Sequence, residues 1–266
     1  MKRLALDENK SLVVGDGERA SFSLDLRGSS PLPAGGRSNM EWRLGRGAEV
    51  YLIQVLRNEA SAELWVNHRF FLKEGSKLSV VTISLGGGVT HSHFWVEFEE
   101  AHAEASIQAL SVLGGQSQIF HRVVMNHAKP FCTSRQVFKN ILLGRSRSEF
   151  DSLVHVLPEA QKSDTRQLNK NLLLSDDALA FSRPQLQIDA DDVSCTHGAT
   201  VGRLEKDELF YLRSRGLSEG EARFVLIDGF AQEIIQEIRE PALRSELESL
   251  MGRELRRMTG EQGEKC

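Results

Sequence analysis

Cysteine is scarce in this sequence: Cys132, Cys195 and Cys266 are the only three in 266 residues. A set that is odd and sparse makes no disulfide framework, so the thiols are expected to be reduced and the chain cytoplasmic. Long hydrophobic runs are missing as well. No stretch approaches the roughly 20 apolar residues that span a bilayer. The basic opening MKRLALDENK has no apolar segment behind it of the kind a secretory signal carries. Nor is there an excess of positive charge: 33 Lys+Arg against 37 Asp+Glu give a formal −4. Neither nucleic acid nor an anionic membrane is therefore favoured electrostatically as a partner.

What is present is a rhythm of short strand-like runs. AEVYLIQVL (48–56), KLSVVTISL (77–85), HFWVEFEE (93–100) and ASIQALSVL (105–113) are followed by SQIFHRVVMNH, SRQVFKNILL, SEFDSLVHVL and PQLQIDADDV. Between them lie turn-like spacers such as EGSK, GGG, LGG, LGRSR and SDD, so the chain reads as mainly β. Strands at this spacing suit a sandwich, a barrel or a coiled β-solenoid. His127, Asn140, Asn169 and Asn171 sit between apolar residues and suit inward stacking in a solenoid. No strict repeat period is visible, so periodicity alone leaves the three architectures open.

The character changes near residue 204, which divides the chain into a β core over 1–203 and a helical region over 204–266. KDELFYLRSRG predicts a short helix ended by Gly216. SEGEARFVLIDGFAQEIIQEI opens with Ser218 and Glu221 in capping-box spacing. Ala222, Val225, Leu226, Ile227, Phe230, Ile234 and Ile238 follow, most of them on one helical stripe. A third helix is expected from Pro241 through Met258, with the proline in its first turn. The polar tail TGEQGEKC makes Cys266 a poor candidate for chemistry.

Residues 190–202, ADDVSCTHGATVG, hold the most suggestive pair. On an extended strand Cys195 and His197 share a face, and thiolate and imidazole both bind iron or another borderline-soft metal. Two donors are half a site, however, and a structurally satisfied pair fits the same spacing. Asp191 and Asp192 beside them read as a turn. His91 and His93 form a second i, i+2 pair, read as structural or solvated. Gly86–Gly88 lack the lysine–serine pair of a phosphate loop. Cys132 near His127 admits a Cys/His nucleophile only if a base and an orienting group surround one thiol.

Three longer stretches, taken in order, carry a resemblance. NHAKPFCTSRQVFKNILLGRSRSEFDSLVHV, then AQKSDTRQLNKNLLLSDDALAFSRPQLQIDADDVSCTHGATVG, then FYLRSRGLSEGEAR resemble the SufB/SufD family of iron–sulfur cluster assembly scaffolds, on its SufD side. They fall within roughly residues 119 to 238, and the first 118 residues match only loosely. The resemblance implies a right-handed parallel β-helix followed by a C-terminal helical region. It implies a non-catalytic subunit that pairs through its core with a SufB-like chain or a second copy of itself, and that binds no nucleotide. It implies that the helical region docks SufC, an ABC-type ATPase, through Phe210, Tyr211, Arg213, Arg215, Glu221 and Arg223. It implies, finally, a transient iron–sulfur cluster at the subunit interface. His197 matches a histidine implicated as a cluster ligand there, and Cys195 a cysteine often present beside it.

Two positions separate the chain from SufB. Ile188 stands about where SufB carries its sulfur-accepting cysteine, and Gly198 stands where SufB has a glutamate directly after the motif histidine. The sulfur acceptor is then expected from a partner. The chain is also short ahead of its strands compared with typical SufD proteins. A minimal homodimeric scaffold served by SufC alone is the alternative within this family. Outside it stand a β-solenoid enzyme, for which no export signal or hexapeptide repeat is seen, and a purely structural solenoid.

Overall fold

Every 26 to 32 residues from the second strand onward the chain returns to the same position one layer higher, from Glu63 beside Val89 to Arg147 beside Leu179. The computed structural model describes residues 1–4, 9–26, 36–57 and 62–259; Cys266 lies outside them. The strands are β1 (Lys2–Leu4), β2 (Asn9–Val14), β3 (Arg19–Asp25), β4 (Gly36–Leu44), β5 (Glu49–Leu56), β6 (Glu63–Leu72), β7 (Lys77–Ser84) and β8 (Val89–Phe98). They continue as β9 (Glu104–Leu113), β10 (Gln118–His127), β11 (Thr133–Leu142), β12 (Arg147–Val156), β13 (Asp164–Leu173), β14 (Leu179–Ile188) and β15 (Ser194–Gly202). Odd-numbered strands form one parallel sheet, ordered β1-β3-β5-β7-β9-β11-β13-β15, and even-numbered strands form the other, ordered β14-β12-β10-β8-β6-β4-β2. Each coil contributes one strand to each sheet, so the architecture is a parallel β-solenoid. Of the three β architectures that the strand rhythm allows, this is the one that forms.

The corner that closes each coil explains both the period and its faint signature. Gly17, Gly47 and Gly75 take φ of +68°, +63° and +64°, a left-handed conformation that costs glycine little. One coil later the same corner falls on His102, then Phe131, then Lys162, at φ of 61°, 59° and 62°. Backbone bonds tie the corners into one column: Gly17 N–H to Arg46 O, Gly47 to Glu74, Gly75 to Ala101, His102 to Pro130, Phe131 to Gln161 and Lys162 to Asp192. The non-glycine corners gain a side-chain stack in return, His102 lying 4.9 Å from Phe131 with planes 8° apart.

Alternation along each strand sends every second side chain into the lumen. Trp42, Phe70, Phe94, Phe98, Phe138 and Phe150 fill it. Several polar groups in the lumen are joined to one another. Trp42 Nε1 donates to His68 Nδ1 at 3.0 Å, His68 Nε2 bonds Gln54 Oε1 at 3.0 Å, and Gln54 Nε2 donates to Thr82 Oγ1 at 2.9 Å. His127, Asn140, Asn169 and Asn171 are all buried there, as their positions among apolar residues suggest. Asn171 is donor to Asn169 Oδ1 at 2.7 Å and acceptor from Asn140 Nδ2 at 2.8 Å.

Three helices follow: α1 (Lys206–Ser214), α2 (Glu219–Ile235) and α3 (Pro241–Thr259). Gly216 ends the first at φ +96°. Ser218 and Glu221 form the full capping box of the second. The apolar stripe packs on the outer face of the odd-numbered sheet. Ile227, Ala231, Ile234 and Ile235 share one buried cluster with Val81, Ile83, Leu110, Val112, Val137 and Ile141. Helices α2 and α3 therefore cover the flank of the solenoid rather than its end. Lys139 on β11 anchors them: its buried ammonium donates to Phe230 O at 2.8 Å, pairs with Glu233 at 2.5 Å and lies over the Phe230 ring. Glu233→Ala would leave that cation without its counter-charge, and we expect it to lower the unfolding free energy by roughly 1–3 kcal/mol. The measurement is a urea midpoint at constant m; an unmoved midpoint would show that the Phe230 carbonyl alone suffices.

Candidate functional site

Among the described residues, strands β14 and β15 are the last in their sheets, so each has a neighbouring strand on one side only. Along the inward face of β13, Thr165, Gln167, Asn169 and Asn171 are buried. Their register partners on β15 are Cys195, His197, Ala199 and Val201. In that final coil only Cys195 stays half-buried, while the other three are exposed, because no further coil lies above them. The solenoid thus ends in an open mouth edged by two strands with unpaired backbone groups.

Cys195 and His197 do share a face, one residue apart on the inward side of β15. Cys195 packs against the lumen cluster. Burial pushes its thiol pKa up, and the nearby Asp164 carboxylate pushes it further. Both effects favour the protonated thiol over the thiolate. The turn that leads into β15 is held by Asp192, whose carboxylate pairs with Lys162 and whose N–H donates to Gln161 Oε1 at 2.9 Å. The aspartate pair is a turn element, as its sequence suggests. Gly198 faces outward, where an added Cβ would stand 3.3 Å from Leu168 Cδ1. Ile188 ends β14, exposed at the same mouth. Among the described residues no three His, Cys, Asp or Glu side chains gather in a metal-binding arrangement. Cys195 and His197 are two donors at an open end.

The other pairs that the sequence offers have structural roles. His91 lies flat between Trp65 (3.6 Å, 6°) and Phe120 (4.9 Å, 12°) on the outer face of the even-numbered sheet, with Nε2 bonded to Glu63 at 3.0 Å. His93 meets the Trp65 ring edge-on. Burial is the first cause holding both imidazoles below their ordinary pKa, His93 at about 4. Cys132 is fully buried, with its thiol directed at the carbonyls of Glu100 and Pro130 and its pKa raised chiefly by desolvation. His127 bonds Ser134 Oγ at 2.8 Å instead, so no nucleophile–base pair exists there.

Helix α1 buries none of its residues. Phe210 is 74% exposed and Tyr211 57%, with Arg215 over the Tyr211 ring at 5.3 Å. Arg213 lies 3.7 Å from Glu219. Phe210, Arg213, Leu217 and Ser218 line a shallow notch of about 530 Å³ between α1 and α2. Glu221 is occupied by the cap, accepting from Ser218 N–H at 2.7 Å, and Arg223 is half-buried. No helix among the described residues is long and apolar enough to cross a membrane. Sequence reasoning passed over Gln167 and Ser182, buried polar groups of the last two coils with unpartnered atoms. Only knowledge of the coil register singles them out.

Comparison with known proteins gives concordant matches. The family described as "SUF system FeS cluster assembly, SufBD core domain" matches residues 5–230. The chain is 35% identical over 171 residues to the iron–sulfur cluster assembly protein SufD of Escherichia coli, covering 64% of this chain and 40% of that relative. It is 34% identical over 206 residues to an iron–sulfur cluster assembly SufBD family protein of Synechocystis, covering 77% and 45%. A SufBD family protein of Mycobacterium leprae is 34% identical over 198 residues, covering 71% and 50%. The matched regions thus span half or less of these relatives.

Proposed function

The chain belongs to the SufB/SufD family of the SUF iron–sulfur cluster assembly system, and from that premise we propose that it is a non-catalytic scaffold subunit. A nascent cluster, its cargo, forms where the open mouth of the solenoid meets a second core subunit. The observation that carries this reading is the placement of Cys195 and His197 on the inward face of an uncovered final coil. Iron–sulfur clusters are held by thiolates, with imidazole replacing some of them at certain sites. Two donors from one chain need others, and an open coil with two unpaired strand edges is where another chain can bring them. A mixed set with imidazole suits a scaffold that must release its cargo.

The second subunit is a SufB-like chain, because Ile188 leaves this mouth without the thiol expected of a primary sulfur acceptor. Helix α1 is the docking element for a SufC-like ATPase: none of its residues is buried, and Phe210, Tyr211, Arg213 and Arg215 present aromatic and cationic groups there. The test is oxygen-free affinity capture of the tagged protein from its host extract, with partners identified by mass. Recovery of an ABC-type ATPase together with a SufB-like chain is the expected result. Recovery of the ATPase with two copies of this chain would replace the heteromeric pair by a homodimer. Recovery of neither would overturn the scaffold reading.

A further inference from the structure

Gln167 is 3% exposed, and among the described residues neither its amide oxygen nor its amide nitrogen has a hydrogen-bond partner. Burying a polar atom with its bond unmade is costly, so this position calls for a partner. The coil below shows what is missing. There Gln136, the register neighbour of Gln167, accepts at Oε1 from Ser152 Oγ across the lumen at 2.8 Å. One coil higher the register successor of Ser152 is Pro184, which has no donor to offer. What stands over Gln167 instead is His197, its register partner on β15, at the inter-strand spacing of about 4.8 Å.

We infer that Gln167 is a positioning residue for His197. With the exposed His197 ring turned inward over its register partner, the Gln167 amide oxygen accepts the N–H of one imidazole nitrogen, which fixes the tautomer and turns the lone pair of the other nitrogen out of the open mouth. The same device already operates deeper in this lumen. There Gln54 Oε1 lies 3.0 Å from His68 Nε2 while His68 Nδ1 accepts from Trp42, which makes His68 the Nε2–H tautomer. Imidazoles that bind metals characteristically have their second nitrogen held by such an acceptor. The purpose assigned to this pairing rests on the proposed role of His197; the pairing itself does not.

The test is nitrogen-15 NMR of the full-length, histidine-labelled protein at alkaline pH without iron or sulfide, the His197 signals being identified by their loss in His197→Ala. In the unsubstituted protein the tautomer ratio at His197 should differ from that of free histidine by about threefold or more, as a net hydrogen bond supports. Gln167→Met, of similar volume but without the amide acceptor, should return the ratio to that of free histidine. Gln167→Glu, which keeps an acceptor, should retain the bias. A free-histidine ratio in the unsubstituted protein overturns the inference even if neither variant folds. So does a bias that survives in Gln167→Met. A bias that depends on Gln167, found alongside normal cluster assembly in His197→Ala, supports the pairing and overturns the scaffold role of His197 alone.

Discussion

His197→Ala is expected to reduce cluster retention by the assembled complex about a hundredfold or more while leaving the fold intact. Loss of a second-shell partner typically costs a metal site about 10- to 100-fold in affinity, and loss of a donor itself should cost at least as much. The fold should be indifferent, because His197 is exposed in a coil with nothing above it. Substitutions at such positions usually stay within about 0.5 kcal/mol. The measurement is anaerobic reconstitution of the co-purified complex with ferrous iron and sulfide, with the cluster followed by its visible absorption. A thermal melt of the same variant serves as control. Cys195→Ser should do less to the cluster and more to the melt, since that thiol packs on the lumen and ionises reluctantly. Cluster retention unchanged in His197→Ala would remove this residue from the site, and a drop shared equally with the melting temperature would assign it a structural role.

The helical region was legible because its signals are local. Ser218, Glu221, Gly216 and Pro241 each state a helix boundary within a few residues. The coil was not, because its repeat is carried by a backbone conformation rather than by a residue type. Gly17, Gly47 and Gly75 mark the corner, and then His102, Phe131 and Lys162 adopt the same φ with no shared chemistry. Strand β6 escaped notice for a related reason. NHRF reads as polar, yet His68 points inward to partners that exist only once the coils are in register. At the mouth, alternation alone placed Cys195 and His197 on one face. That the face is uncovered, and that Gln167 lies beneath it, depends on where the sheets stop.

Acidification should destabilise this protein steeply between about pH 6.5 and pH 4. His68, His121 and His127 are at most 3% exposed. Desolvation is the main cause holding their imidazoles near pKa values of about 3, 3 and 4. Protonation would also add N–H donors where none can be used. His68 Nδ1 already accepts from Trp42, and the Nδ1 atoms of His121 and His127 have no partner among the described residues. In the unfolded chain each ring takes up a proton near pH 6.5. Below that value the unfolded state binds more protons than the folded one, so stability is full above pH 6.5 and is lost as pH falls toward the folded values. At pH 5 the loss is about 2 kcal/mol per ring, roughly 6 kcal/mol for three, comparable with the whole stability of an ordinary domain. The carboxylate of Glu233, held below its usual range by Lys139, adds to the loss only at lower pH. Denaturant titrations from pH 7.5 to pH 4.5 should therefore show a slope reaching about 4 kcal/mol per pH unit, equivalent to about three protons taken up on unfolding. Replacing His127 by glutamine, which can still bond Ser134, should remove about a third of that slope. A stability unchanged down to pH 5 would mean that the lumen admits water to these rings, and that the dry, polar-laddered interior described above is wrong.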